Sequence, residues 1–249
     1  MEDGCEIGKA LWESGIVYAV AASGDGRWIA TGGVGKNVTI WNTTTYEKVI
    51  ELEGHSGDVR SLAFSRDSAR IVSGSEDKTV IVWSATTGER HLGPLKGHTY
   101  TVWCARFSPD DDKIASCDGS SIRVWNSHSG VPLMRPIHVS AIALEWTPDD
   151  SQQLIAGCVD GFIRRFSSST GSLLADWEAH TALITSIAVS QNGKFIASAS
   201  HDKTVRICDM TTSTQIGPTL QCDDKVYSVA ISPAGRHLVS AGRGHRVRI

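Results

Sequence analysis

The chain has 249 residues, with 24 lysine and arginine residues against 27 aspartate and glutamate residues, and its formal net charge at pH 7 is −3. Charges of both signs are interspersed, so no broad basic surface is available for nucleic acid, and we expect no nucleic-acid partner. The six cysteines are scattered, with no CxxC pair and no metal-ligand spacing. We therefore expect no metal, no cofactor and reduced thiols, as in a cytoplasmic protein, with the nucleus as the alternative location.

The N-terminal region does not have the sequence of a secretory signal. It begins Met-Glu-Asp and has one lysine, Lys9, before a short apolar run at 16–22. A signal peptide needs a basic start and a longer apolar stretch, and no segment approaches the roughly 18 apolar residues that span a membrane. We expect the run 16–22 to be a β-strand and the protein not to associate with membranes.

From residue 16 the chain consists of short apolar, alternating segments separated by turn residues, a pattern typical of β-strands. The first four segments lie at 16–22, 28–32, 37–41 and 47–52. We predict that they form one four-stranded sheet. The fourth segment is the most polar, because the outer edge of that sheet faces water.

The closing residue of the third segment recurs along the chain at a fixed interval. Trp41, Trp83 and Trp125 lie 42 residues apart, and Phe166 and Cys208 follow at intervals of 41 and 42 residues. A period in the low forties without a helical pattern indicates one four-stranded sheet per repeat, with the sheets stacked around an axis.

The same pattern predicts the strands of the later repeats. Innermost strands are predicted at 58–64, 101–107, 140–146, 183–189 and 225–231. Second strands are predicted at 70–74, 113–117, 153–157, 195–199 and 237–241. Third strands are predicted at 79–83, 121–125, 162–166, 204–208 and 245–249. Outer strands are predicted near 90–95, 131–137, 172–177 and 214–220.

The repeat resembles that of the WD-repeat family, and the resemblance covers nearly the whole chain. It rests on the pairs Gly54-His55 and Gly97-His98, on an aspartate in a tight turn, such as Asp77, and on a closing tryptophan. It implies an all-β fold, a single β-propeller domain spanning residues 1–249 and built of four-stranded blades. The implied blades are approximately 15–52, 57–95, 100–137, 139–177, 182–220 and 225–249.

The sixth blade has no outer strand after its third strand. Residues 5–12 precede the first innermost strand in the register that residues 49–54 hold before the second. We expect residues 5–12 to supply the missing strand and close a six-bladed ring, because this removes an exposed sheet edge. The period places the next closing residue one position beyond Ile249. A seven-bladed propeller whose sequence is cut short is therefore the alternative.

In the WD-repeat family the histidine, serine or threonine, aspartate and tryptophan of a blade form a buried hydrogen-bonded chain. The resemblance implies this structural role for His55, Ser73, Asp77 and Trp83 in blade two, His98, Ser116 and Trp125 in blade three, His138 and Asp160 in blade four, and His180, Ser198 and Asp202 in blade five.

In blades one, three and six the hydrogen-bonded network is predicted to be less complete than in blade two. In blade three, Asp118 fits only with a shifted turn. Blade one has Glu13 and Gly35 at the histidine and aspartate places, and blade six has Cys222 and Gly244. We expect blade two to be the stiffest, and the junction between blades six and one the loosest.

Members of this family bind peptides or proteins on one face of the ring. Two loops of each blade form that face: the loop that leads into the innermost strand and the loop that follows the second strand. Two positions per blade point there. In this sequence they are Tyr18 and Val34, Arg60 and Glu76, Trp103 and Cys117, Ile142 and Val159, Thr185 and His201, and Tyr227 and Arg243. We predict partner binding by Tyr18, Arg60, Glu76, Trp103, Thr185, His201, Tyr227 and Arg243, since aromatic residues and arginine dominate binding hot spots. The alternative is that the aromatic residues only fill the channel rim.

The predicted function is that of a non-enzymatic scaffold for protein or peptide partners, as a monomer or within a larger complex. Alternatives are a substrate-recognition subunit of a ubiquitin ligase that reads an acidic or phosphorylated motif, and a propeller enzyme. We predict no enzymatic activity, because a serine, histidine and aspartate that recur once per repeat are not expected to form a catalytic triad. The run 32–36 lacks part of a phosphate-loop motif and leads into a strand, so we expect a hairpin turn there.

Overall fold

The computed structural model describes residues 9–149, 151–244 and 247–248, and these residues form antiparallel β-sheets with no helix. Within that part of the chain there is accordingly no helix long and apolar enough to cross a membrane. In this described part, six sheets follow one another, five with four strands and one with three. Each sheet is a meander of sequence-adjacent strands, which is the arrangement of a propeller blade.

The first three sheets correspond to the first three predicted repeats. Sheet 1 contains β1 (Val17–Ala22), β2 (Trp28–Gly33), β3 (Val38–Asn42) and β4 (Lys48–Leu52). Sheet 2 contains β5 (Val59–Phe64), β6 (Arg70–Ser75), β7 (Val80–Ser84) and β8 (Arg90–Leu95). Sheet 3 contains β9 (Cys104–Phe107), β10 (Lys113–Cys117), β11 (Ser121–Asn126) and β12 (Ile137–His138).

The last three sheets repeat this order. Sheet 4 contains β13 (Ala141–Trp146), β14 (Leu154–Cys158), β15 (Phe162–Phe166) and β16 (Leu173–Glu178). Sheet 5 contains β17 (Ile184–Val189), β18 (Phe195–Ser200), β19 (Thr204–Asp209) and β20 (Leu220–Gln221). Sheet 6 contains β21 (Val226–Ile231), β22 (Leu238–Gly242) and β23 (Val247–Arg248).

Two outer strands are much shorter than predicted. The predicted strands at 131–137 and 214–220 are reduced to β12 and β20, with isolated bridges at Pro132 and Gln215. Prolines interrupt both segments, at positions 132, 136 and 218. Because proline has no N–H to donate, it weakens the ladder to the third strand.

Neighbouring sheets pack face to face through a repeated pair of positions. The first and fourth residues of an innermost strand contact the second strand of the preceding sheet, as Val59 and Leu62 contact Gly32. In sheet 3 the equivalent pair is Val102, which lies two residues before β9, and Ala105, the second residue of β9. Equivalent contacts also join sheets 3 and 4, 4 and 5, and 5 and 6. The apolar core therefore lies between the sheets, and each junction is local to two repeats.

Small residues on the second strand make this packing close. A Cβ atom added to Gly32 would lie 2.8 Å from Val59 Cγ1, and one added to Gly74 would lie 2.7 Å from Val102 Cγ1. Such distances are below van der Waals contact, so glycine at these positions is required by the approach of the next sheet.

The junction between sheets 6 and 1 is different from the other five. Val17 and Val20, which hold the first and fourth positions of β1, are 39% and 65% exposed, whereas Val59 and Leu62 are 0% and 4% exposed. Six-bladed closure is therefore not confirmed. Residues 5–8 of the predicted closing strand lie outside the described residues, and residues 9–12, which are described, form no strand.

Candidate partner-binding face

The hydrogen-bonded chain of sheet 2 holds together the loops at one end of that sheet. His55 Nδ1 lies 2.8 Å from the Asp77 carboxylate, and His55 Nε2 lies 2.7 Å from the Ser73 hydroxyl. The Trp83 indole N–H donates to the same hydroxyl at 2.8 Å. Asp77 also accepts from the backbone N–H groups of Ser56 and Thr79. One carboxylate thus joins the loop before β5 to the turn after β6.

Asp77 is ionised in this site because its hydrogen bonds outweigh its burial. Burial alone would raise the pKa of the Asp77 carboxyl, but donation from His55 and Thr79 holds that pKa well below its usual range. The network is therefore formed with a charged acceptor at its end.

Sheets 3 and 5 contain related chains. His180 bridges Asp202 and Ser198, at 2.9 and 2.8 Å, although Cys208 replaces the tryptophan. In sheet 3, His98 Nε2 lies 2.7 Å from Ser116, which also accepts from Trp125. These contacts involve the residues that the repeat pattern predicts.

The shorter turn of sheet 3 changes the role of its aspartate. Asp118 is buried and accepts from the backbone N–H groups of Thr99, Ser120 and Ser121. His98 Nδ1 lies 3.3 Å from the Asp118 carboxylate but forms no hydrogen bond with it. Burial consequently lowers the pKa of His98 to about 4, despite the attraction of the Asp118 charge.

Sheet 4 does not contain the predicted link between His138 and Asp160, and that prediction is wrong. The His138 side chain is exposed, and both Asp160 carboxylate oxygens accept from Arg164, at 3.0 and 2.6 Å. Ala156 stands at the place that Ser73 has in sheet 2. His138 therefore lacks the buried hydroxyl with which His55 forms its hydrogen bond. Arg164, on the third strand, forms an ion pair with the Asp160 carboxylate instead.

Sheet 1 contains a hydrogen-bonded network that the pattern of the repeat does not predict. Thr31 donates to the Glu13 carboxylate in a short hydrogen bond and accepts from the Trp41 indole N–H at 2.8 Å. Glu13 thus replaces the histidine functionally, while Gly35, at the aspartate place, has no atom within 4 Å of an added Cβ. A glutamate at the histidine position, facing a threonine and a tryptophan, was the signal for this link.

The innermost strands surround a central cavity of about 180 Å³. Its lining includes residues from all six of these strands, among them Ser228 of β21. The predicted second-position residues of five strands contribute to it: Tyr18, Arg60, Trp103, Ile142 and Thr185. The repeat therefore brings together side chains that are separated by well over a hundred residues in sequence.

Arg60 lies between two aromatic side chains at this cavity. Its guanidinium carbon is 3.7 Å from the Tyr18 ring centroid and 5.5 Å from that of Trp103. Tyr18 and Trp103 are each 40% exposed. The three side chains, which we call the arginine stack, present aromatic area to solvent while the guanidinium is held in place.

Glu76 compensates the charge of the arginine stack. Its carboxylate accepts from Arg60 Nε at 2.9 Å and from a second guanidinium nitrogen. Both residues were predicted to bind a partner directly. In the structure they bind each other, so the stack is an aromatic surface around an ion pair and not a free cation.

The remaining predicted residues lie on the later sheets. His201 and Tyr227 form an edge-to-face ring pair with centroids 5.8 Å apart, and Tyr227 is 48% exposed. Burial, and then the nearby Lys225 charge, lower the pKa of His201. The exposed Arg243 guanidinium lies 4.0 Å from Asp224. Thr185 donates to the Val226 carbonyl at 2.7 Å, so its hydroxyl links sheets 5 and 6.

One exposed aromatic residue near this face was not predicted. Tyr100 follows the loop at His98, and the backbone N–H groups of Thr99 and Tyr100 both point to Asp118. Its side chain is exposed to solvent. Tyr100 lies outside the strands, where no repeat position marks it, so only its aromatic character could have drawn attention to it.

Among the described residues, no group of three or more histidine, cysteine, aspartate or glutamate side chains is arranged to hold a metal ion. The buried thiols are poor nucleophiles: burial raises the pKa of Cys158 to about 11 and that of Cys117 well above its ordinary value.

The repeated four-stranded sheets and their buried histidine chains define a class of repeat proteins. A model of the WD domain, G-beta repeat, matches residues 10–42, 46–84, 89–126, 171–209 and 215–249. These segments cover more than half of the chain, which therefore belongs to the WD-repeat family. The innermost three strands of sheet 4 lie outside the matched segments, in agreement with its altered side-chain contacts.

Curated relatives are WD-repeat proteins of greater length. U4/U6 small nuclear ribonucleoprotein PRP4 of Saccharomyces cerevisiae is 33% identical over 126 residues, which are 47% of this chain and 27% of that protein. WD repeat-containing protein 90 of Mus musculus is 33% identical over 121 residues, which are 45% of this chain and 6% of that protein. Human striatin is 24% identical over 209 residues, which are 60% of this chain and 27% of that protein.

This chain therefore spans about a quarter or less of the length of these relatives. Proteins of the family generally act as non-enzymatic interaction scaffolds.

Proposed function

We propose that this protein is a non-enzymatic scaffold that binds a peptide or protein partner on the face carrying the arginine stack. The observation that supports this most is the stack itself, with Arg60 between the half-exposed rings of Tyr18 and Trp103 at the central cavity. Aromatic rings held by an immobilised arginine lose little side-chain entropy when a partner covers them.

The chemistry of this face favours an apolar or aromatic partner segment. Arg60 is paired with Glu76, whereas Arg243 and Lys203 share the single carboxylate of Asp224, each at 4.0 Å. The arginine stack itself therefore gives no support to a phosphate-reading subunit of a ubiquitin ligase. The aromatic area of Tyr18, Trp103 and Tyr227 contributes more to the proposed affinity than charge does.

The experiment selects peptides against the wild-type protein from a random displayed library and measures their Kd by calorimetry. The triple variant Tyr18→Ala, Trp103→Ala, Tyr227→Ala should weaken binding at least about thirtyfold, which corresponds to roughly 2 kcal/mol. A matched control, Val49→Ala, Val131→Ala, Leu173→Ala, removes exposed apolar side chains on or beside the outer strands.

The control should bind the selected peptides as the wild type does. Both triple variants should unfold near the wild-type temperature, since all six side chains are exposed. Equal Kd values for the aromatic variant and the wild type would show that the partner surface lies elsewhere.

A further inference from the structure

The innermost strands carry different side chains at their two ends. Arg60, of the arginine stack, is the second residue of β5, whereas Phe64 is the last residue of the same strand. The last residues of the next three innermost strands are Phe107, Trp146 and Val189. Together with Phe64 they line a cavity of about 460 Å³, which we call the lower cavity. The lower cavity therefore lies on the face opposite the arginine stack.

The residue before the last one departs from the repeat in two neighbouring sheets. In sheet 3 it is Arg106, and in sheet 4 it is Glu145. In sheets 1, 2, 5 and 6 the same position is alanine, as Ala21, Ala63, Ala188 and Ala230. Because alanine suffices for the strand pairing of four sheets, the repeat itself does not require a charged pair here.

Arg106 compensates the Glu145 carboxylate only weakly. Glu145 Oε2 lies 3.8 Å from Arg106 Nε, which is beyond hydrogen-bond distance. Another guanidinium nitrogen of Arg106 donates to the Leu62 carbonyl of sheet 2 at 3.0 Å. Within the described residues, the Glu145 carboxylate accepts one hydrogen bond, from the Trp146 backbone N–H at 3.1 Å. Burial raises the pKa of the Glu145 carboxyl despite the Arg106 charge, so a second cation beside it favours the ionised form.

The lower cavity surrounds this carboxylate with aromatic rings and prolines. Glu145 lines the lower cavity, whereas Arg106 lines the central cavity. The Glu145 side chain is 31% exposed, so solvent reaches it. Three aromatic rings and two prolines, Pro109 and Pro148, line the same space. A cation placed there is attracted both by the carboxylate and by the faces of the rings.

The other charged side chains of the lower cavity lie at its rim and offset each other. Asp111 accepts from the backbone N–H groups of Arg66 and Asp67, at 2.9 and 3.3 Å. The Arg66 guanidinium donates to the Pro109 carbonyl at 3.4 Å. These contacts join the loops of sheets 2 and 3. Among the described lining residues, Glu145 therefore provides the net negative charge.

We propose that the lower cavity is a second partner site, which binds an arginine or lysine side chain of a partner protein. The cationic group lies beside the Glu145 carboxylate, and its aliphatic stem packs on the aromatic rings. A partner bound there leaves the arginine stack free. The protein then joins an apolar or aromatic segment on one face to a cationic segment on the other.

The test selects peptides from a random displayed library on the wild-type protein, after depletion of the library on immobilised Glu145→Gln. The selected peptides should share an arginine or a lysine. Calorimetry should show that Glu145→Gln weakens their binding at least about tenfold, because the variant keeps the shape of the side chain and removes its charge. The matched control Glu178→Gln changes an exposed carboxylate on the outer strand of the same sheet and should bind as the wild type does.

A second measurement uses the wild-type protein alone. Citrulline in place of the peptide's arginine, or norleucine in place of its lysine, keeps the stem and removes the charge. Either replacement should weaken binding at least about tenfold. Neutral peptides that bind equally well would overturn the proposal. A library that yields no peptide dependent on Glu145, or only peptides without a shared arginine or lysine, would overturn it as well.

The aromatic triple variant distinguishes the two faces. Tyr18→Ala, Trp103→Ala, Tyr227→Ala should bind the cationic peptides as the wild type does. Loss of their binding in that variant would assign them to the arginine stack and contradict a site in the lower cavity. Peptides that depend on the arginine stack should bind Glu145→Gln unchanged, so either site can fail without the other.

Discussion

Sheets 2 and 4 have the same strand order and nearly the same register, but they hold their loops in different ways. In sheet 2, His55 is buried between Asp77 and Ser73. In sheet 4, His138 is exposed, and Asp160 is bound by Arg164 on its own sheet. Both sheets nevertheless form, so strand pairing and apolar packing suffice to build a sheet, and the histidine chain adds stability and fixes the loops.

The largest expected effect comes from removing the acceptor in sheet 2. Asp77→Ala should lower the free energy of unfolding by about 2–3 kcal/mol, because His55 and two backbone N–H groups lose their acceptor in a nearly dry site. The equivalent change in sheet 4, Asp160→Ala, should cost less than about 1 kcal/mol, since that ion pair is partly exposed. Urea denaturation of both variants measures the difference. Equal losses would contradict the contrast between the sheets.

The buried histidine of sheet 3 should make stability depend on pH. In the folded protein the pKa of His98 is about 4, against an ordinary value of 6.5, so between these values the unfolded chain binds a proton that the folded chain does not. Stability is greatest above pH 6.5 and should fall by roughly 2 kcal/mol between pH 6.5 and 4.5.

His98→Asn should reduce this slope, because it removes the buried imidazole. Chemical denaturation at a series of pH values tests this prediction. A slope unaffected by His98→Asn would assign the dependence to other groups.

The third prediction transfers the chemistry of sheet 2 into sheet 4. Ala156→Ser, Arg164→Ile and Phe166→Trp together place the residue types of Ser73, Ile81 and Trp83 in sheet 4. Ser73 and Trp83 contact His55 in sheet 2. With Asp160 released from Arg164, His138 gains a buried acceptor, and stability should rise by about 1 kcal/mol. NMR should show the imidazole N–H of His138 protected from exchange with solvent in the triple variant. A His138 ring that still exchanges as in the wild type would mean that the loop before β13 cannot move inward.

Only small effects are expected in sheet 1. Glu13→Ala removes the acceptor for Thr31 and should cost about 1 kcal/mol. Gly35→Ala adds a methyl group in open space and should change stability by less than about 0.5 kcal/mol. If thermal unfolding shows both variants to be neutral, the link from Glu13 contributes nothing to sheet 1.

Local sequence was sufficient for most strands because each repeat pairs only with itself. The ends of β5 (Val59–Phe64) and β6 (Arg70–Ser75) lie within one residue of their predicted limits. The outer strands predicted at 131–137 and 214–220 are shorter in the structure, as β12 and β20, because prolines within both segments cannot donate to the ladder. The link through Glu13 was missed because a glutamate does not match the histidine of the repeat, although its carboxylate can accept the same hydrogen bond.

The sequence by itself determined the repeat and the four-stranded sheets, which follow from period and alternation, and these are local properties. The second-position residues around the cavity were implied by the resemblance to the WD-repeat family, which rests on the motifs of the repeat. Tertiary structure alone decided that Arg60 is shared between Tyr18 and Trp103 and neutralised by Glu76, because those contacts join three sheets. It also decided that Val17 and Val20 remain uncovered, because burial depends on which sheet lies opposite and not on the residues of the strand itself.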